Sequence, residues 1–172
     1  MKKLFFIIVF GVAFGILEAI VVIYLRKILD PNLGLNFSYL FLKDSSIVLD
    51  LKAIAFILPR HPIFKNVEIS TLETLREFTT IMMLLSVGYL SAQNIKQKMG
   101  AFLIAFGFWD IFYYVFLNLL IGWPKSLFDI DLFFLIPVPW IGPVITPIVV
   151  SILLIIIGVN LFLKKDNSKR LV

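Results

Sequence analysis

Cysteine is absent from the 172 residues, and histidine occurs once, at His61. The first absence excludes disulfide exchange, thiolate metal sites and cysteine nucleophiles. The second excludes a bis-histidine haem or a histidine-rich metal cluster within one chain. Charge is scarce as well: Asp, Glu, Lys and Arg make up 16% of the chain, against 60% for hydrophobic residues, with 18 Phe and a mean hydropathy of +1.01. Soluble domains are typically ~45–50% apolar, so the lipid bilayer is the expected solvent and first partner. A net charge of +5 would suit nucleic acid. The basic residues, however, stand mostly at the ends of apolar runs, where Lys and Arg orient a membrane protein, so nucleic acid is set aside as a partner.

The pattern predicts an all-α membrane protein, one integral membrane domain over residues 1–172 with four transmembrane helices at about 4–25, 71–92, 99–122 and 141–163. Met1-Lys2-Lys3 followed by Leu4 to Leu25 resembles a signal peptide, but an apolar stretch of about 22 residues exceeds the roughly 7–15 of a signal core, so it reads as an uncleaved first span. Gly11 and Gly15 form a small-xxx-small pair, and Glu18 follows one turn later on the same face. The loop 28–69 is rich in turn residues. Inside it, Ile47 to Leu58 is too short to span and reads as an interfacial or re-entrant helix.

Ser70 or Thr71 is expected to open the second span, with Glu73 as a capping-box partner. Glu73, Arg76, Glu77 and Thr80 are spaced i, i+3, i+4, i+7 and share one helical face. Gln93 to Lys98 reads as a polar turn. The third span carries Phe106-Gly107-Phe108-Trp109-Asp110-Ile111-Phe112-Tyr113-Tyr114 in its middle. A carboxylate there costs roughly 3 kcal/mol on insertion scales, so Asp110 calls for a partner or a function. Tyr113, Tyr114 and Asn118 continue its stripe, and Trp109 would need a buried acceptor for its indole N–H. After Asp129 and Asp131, Pro137, Pro139, Pro143 and Pro147 predict an irregular or re-entrant lead-in at Phe133 to Trp140, before the last span.

Lys2, Lys3, Lys96, Lys98, Lys164, Lys165, Lys169 and Arg170 put both termini and the turn after the second span in the cytoplasm, making this a multi-pass protein of the cell inner (plasma) membrane. The polar groups then gather in the outer half of the bundle, as an acidic, aromatic site opening outward. Its candidate ligand-binding residues are Glu18, Arg76, Glu77, Asp110, Tyr113, Tyr114 and Trp109, with Glu73, Thr80, Asn118, Asp129, Asp131 and Trp140 as secondary candidates. Asp110 is expected within reach of Glu18 or of the Arg76–Glu77 turn, directly or through a water.

Blander roles compete at each position. Arg76 could centre an ion-pair network that fixes helix register, Glu73 could be a solvated helix-start carboxylate, and Asn118 could be helix–helix glue. Tyr113 and Tyr114 point about 100° apart, so at most one of them is expected to face the site squarely. Met82-Met83 reads as packing and His61 as a solvated loop residue.

Four blocks, Phe14-Gly15-Ile16-Leu17-Glu18-Ala19, Arg76 to Leu84, Phe106 to Tyr114 and Phe134 to Val144, together resemble a family of small, uncharacterised prokaryotic polytopic membrane proteins. That resemblance implies the membrane class and no activity. The paired aspartates of lipoprotein signal peptidases, the thiol pair of disulfide-generating membrane proteins and a phosphate-binding glycine loop are all missing. The expected function is to bind or help to move a proton, small cation or amine, with no cofactor, no metal and no assigned catalytic residue. Two alternatives stand beside it: an intramembrane enzyme acting on a lipid or isoprenoid through a carboxylate acid/base pair, and an accessory or assembly subunit. A homo-oligomer or a larger membrane complex is the expected assembly.

Overall fold

Long apolar runs with few breakers give helices here, as the hydrogen bonding of a backbone in lipid requires. The computed structural model describes residues 1–29, 45–50, 53–59 and 67–164. It contains helices α1 (Lys2–Leu29), α2 (Val67–Ser91), α3 (Ile95–Ile121) and α4 (Ile145–Leu163), and strands β1 (Ser45–Asp50), β2 (Ala55–Pro59), β3 (Ile130–Phe134) and β4 (Trp140–Pro143). Three of the helices, α1 over Lys2–Ile28, α3 and α4, are long and apolar enough to cross a membrane. His61 lies outside the described residues.

Helix α3 is the centre of the bundle. It packs along α1 and α4 and more briefly along α2, while α2 meets α1 over a short stretch and hardly touches α4. Gly15 lets α1 lie directly on α3, for a Cβ there would fall 2.8 Å from the Trp109 carbonyl oxygen. Gly11 meets Ala105 and Phe108 in the same way, so the two helices run in the same direction. Helix α4 runs against them: Gly100 meets Gly158 and Phe162, and Gly107 meets Ser151 and Ile155. Ile7, Phe14, Leu84, Ile104 and Trp109 form the main apolar core between helices.

Local chemistry sets both ends of α3. The Asn94 side chain caps α3 by accepting the Lys96 N–H at 2.8 Å, so the turn after α2 is shorter than the expected Gln93 to Lys98 and Lys96 and Lys98 are helical. Gly122, at φ 66°, closes the other end by donating its N–H to the Asn118 carbonyl. The expected capping box at Ser70 or Thr71 does not form. Helix α2 begins at Val67, and Thr71 is already inside it, bonding the Val67 carbonyl at 3.0 Å.

The connections correct the expectation of an interfacial or re-entrant helix in the loop. Ile47 to Leu58 divides into β1 and β2, which pair antiparallel, and the lead-in to the last span is the β3–β4 hairpin. Both hairpins stand at the same end of the bundle and join through Ala55↔Ile141 and Phe56↔Trp140 into one antiparallel sheet of order β1-β2-β4-β3. Short apolar runs are ambiguous between helix and strand, and a partner strand about 85 residues away decides this one. Pro137 and Pro139 occupy the β3–β4 turn and Pro143 ends β4, so α4 starts at Ile145, four residues later than the expected span. Pro147 falls in the first turn of α4, where no intrahelical N–H bond is lost.

Candidate functional site

Under the sheet, between the four helices, lies a cavity of about 240 Å³. Glu18 reaches it from α1, one turn beyond the Gly15 contact. From α2 come Glu73, Arg76, Glu77 and Thr80 on their shared face; from α3 come Trp109, Asp110, Tyr113 and Tyr114; Asp131 and Trp140 enter from β3 and β4.

The Arg76 guanidinium bridges two helices. Its Nη1 pairs with Glu18, while Nη2 and Nε grip Glu73, the latter bond being 2.9 Å. Glu73 is therefore a buried ion-pair partner and not the solvated helix-start carboxylate of the blander reading. Glu77 turns to the sheet and accepts the Leu135 N–H at 2.8 Å. Asp110 accepts the Ser151 hydroxyl at 2.7 Å and shares the cavity with Glu18, Arg76 and Glu77, without a direct bond to them.

A second charged group sits toward the sheet. Asp131 pairs with Arg26 Nη2 at 3.3 Å and accepts the Tyr114 hydroxyl at 3.1 Å, and the Arg26 guanidinium lies 3.9 Å over the Trp123 ring. Burial pushes the Asp131 carboxyl above the usual aspartate value, while Arg26, the Tyr114 hydroxyl and the Leu132 N–H pull the other way.

Trp109 is 5% exposed, walled by the rings of Phe14, Phe106 and Phe134. The buried acceptor expected for its indole N–H is missing: Trp109 Nε1, Arg26 Nε and Arg26 Nη1 have no hydrogen-bond partner among the described residues. Each belongs to a residue that lines the cavity. Trp140 is satisfied, its indole donating to the Ile136 carbonyl at 2.7 Å.

Tyr113 and Tyr114 both line the cavity, and the Tyr114 hydroxyl is turned to Asp131. Two secondary candidates stay outside. Asn118 continues the Asp110 stripe by one turn too many and donates to the Pro124 carbonyl at 2.7 Å; Asp129 is spent on the Lys125 and Ser126 N–H groups of its own turn. Arg26 and Ser151 were missed. Arg26 reads in sequence as a span-end cation; its signal is a place two turns above Glu18 on the same stripe. Ser151 is one of two polar side chains between Pro147 and Leu163.

Five carboxylates thus meet two guanidinium groups. They are dispersed, and among the described residues no three His, Asp or Glu side chains gather so as to hold a metal ion. Compared with known proteins, the chain matches no family model, no curated protein and no solved structure.

Proposed function

We propose that this is a four-span inner-membrane protein, both termini cytoplasmic, whose outward-facing cavity binds and helps to move an organic ammonium group or a proton. Supporting the fourth span, α2 is 25 residues long and exposes Leu72, Leu75, Phe78, Met82, Met83 and Leu85 away from Glu73, Arg76 and Glu77, with Glu68 in its first turn the one charge on the exposed side. The observation that carries the functional reading is the surplus of acid. After Arg76 has paired with Glu18 and Glu73, and Arg26 with Asp131, Glu77 and Asp110 form no ion pair among the described residues and rest on neutral donors.

Carboxylates in a low-dielectric cavity need a proton or a cationic guest to offset their charge. The dispersed geometry suits an ammonium better than a metal ion. Trp109, Tyr113 and Trp140 line the same cavity, and aromatic rings attract a soft organic cation. Purified protein in liposomes is expected to take up a quaternary ammonium such as choline, or protons read by an internal pH dye, above empty liposomes. Glu77→Gln and Asp110→Asn should each lower that uptake tenfold or more; uptake unchanged in both variants overturns the reading.

A further inference from the structure

A cavity built only to neutralise acid would have no use for idle donors. Arg26 nevertheless directs Nε and Nη1 at no partner among the described residues, while its third nitrogen holds Asp131. Its side chain is 11% exposed, so bulk water does little to satisfy those N–H groups. Buried, unsatisfied guanidinium donors are a costly arrangement unless an acceptor comes to them, and the fork suits a phosphate or carboxylate. This acceptor position and the surplus acids belong to one space. Tyr113 lines that space together with Arg26, Asp131, Arg76 and Glu73. A guest that answers both needs carries an anion and an ammonium together.

The shape adds a third feature. Helices α2 and α4 hardly touch, yet both line the cavity, α2 through Glu77 and Thr80 and α4 through Val150 and Leu154. Val150 is also 42% exposed, and nothing of α2 packs closely over this side of α4. The cavity therefore reaches the apolar flank of the molecule between these helices, while the β3–β4 hairpin covers its end.

We infer that the cavity takes a zwitterionic amphiphile, with its anionic oxygens on the idle N–H groups of Arg26, its ammonium on Glu77 and Asp110, and its apolar chain leaving between α2 and α4. This rests on the ammonium reading above and narrows it to one class of guest, of which a phospholipid with an ethanolamine or choline head is the membrane-borne source and the chain-free head the soluble one.

Native mass spectrometry of the full chain in mild detergent tests it, with four probes added in turn. These are a phosphatidylethanolamine, chain-free glycerophosphoethanolamine, a long-chain alkyltrimethylammonium and a phosphatidylglycerol. The expected result is one phosphatidylethanolamine retained per chain, with each of the other three at least tenfold weaker. Arg26→Lys, which keeps a cation for Asp131 but removes the fork, should weaken the phosphatidylethanolamine tenfold. Val150→Trp touches no charged group and should narrow the gap, weakening the phosphatidylethanolamine and leaving the chain-free head unchanged; it decides the matter if Arg26→Lys does not fold. Retention of the alkyltrimethylammonium as tightly as the phosphatidylethanolamine overturns the inference and leaves the ammonium reading standing. Equal binding of the chain-free head overturns the amphiphile. Equal retention of the phosphatidylglycerol overturns the ammonium reading itself.

Discussion

Arg76 is the residue on which the two sides of the site depend, since one guanidinium holds Glu18 of α1 and Glu73 of α2. Removing one partner of a buried pair leaves the other charge without compensation, which costs about 3–5 kcal/mol. Arg76→Leu is therefore expected to lose that much stability, measured by thermal or denaturant unfolding in detergent, and to lose more than Arg76→Lys. Sequence spacing alone put Arg76 among acids. That it would choose Glu18 and Glu73 and leave Glu77 to the Leu135 N–H was not legible, because Leu135 lies 58 residues further along the chain.

Asp131 supplies a prediction in pH. Its carboxyl binds a proton more tightly in the folded protein than in the unfolded chain. Stability from this group is thus fully present below the ordinary aspartate value and is lost as pH rises through the raised one. The melting temperature is expected to fall across that window, and Asp131→Asn to flatten the fall. A slope identical in the variant would assign it to other groups.

At the scale of elements, contacts between helices decide which side chains reach the cavity. A Cβ at Gly107 would lie 2.8 Å from the Ser151 carbonyl oxygen and 2.6 Å from Ile155 Cγ1. Backbone cannot yield as a side chain end can, and overpacking of this kind typically costs about 1–3 kcal/mol. Gly107→Val is expected to lower the melting temperature, to push α4 off α3 and to take the Ser151 hydroxyl from Asp110. Reduced ammonium uptake alongside the lower melting temperature is the expected signature; normal uptake at full stability would contradict it. The Gly11 and Gly15 contact was visible in sequence through the spacing of small residues. The matching contact on α4 was not, because nothing within α4 names its partner. The strands show the same limit more sharply, since Ile47 to Leu58 carries no periodicity that separates a hairpin from a short helix.

For the whole molecule, the central expectation is topological. Three helices satisfy length and hydropathy for crossing a membrane, and α2 carries Glu73, Arg76 and Glu77 on the cavity side. Because the chain has no cysteine, single-cysteine variants at exposed positions report sidedness without a background. With four spans, Gln93→Cys is expected to react with an impermeant maleimide from the cytoplasmic side alone, and Ser126→Cys from the opposite side alone. Labelling of both from one face would contradict the four-span arrangement.

Composition and periodicity by themselves determined the helical class, the approximate run of each long helix and the face shared by Glu73, Arg76, Glu77 and Thr80, because these follow from the local chain in an apolar medium. Tertiary structure alone decided the four-stranded sheet, the pairing of Arg26 with Asp131, the Ser151 donor to Asp110 and the N–H groups of Arg26 and Trp109 that meet no acceptor among the described residues. Each of these joins positions far apart in the chain or depends on what fails to arrive. Sequence spacing carries information about neighbours on one element, and these partners are neighbours only after folding.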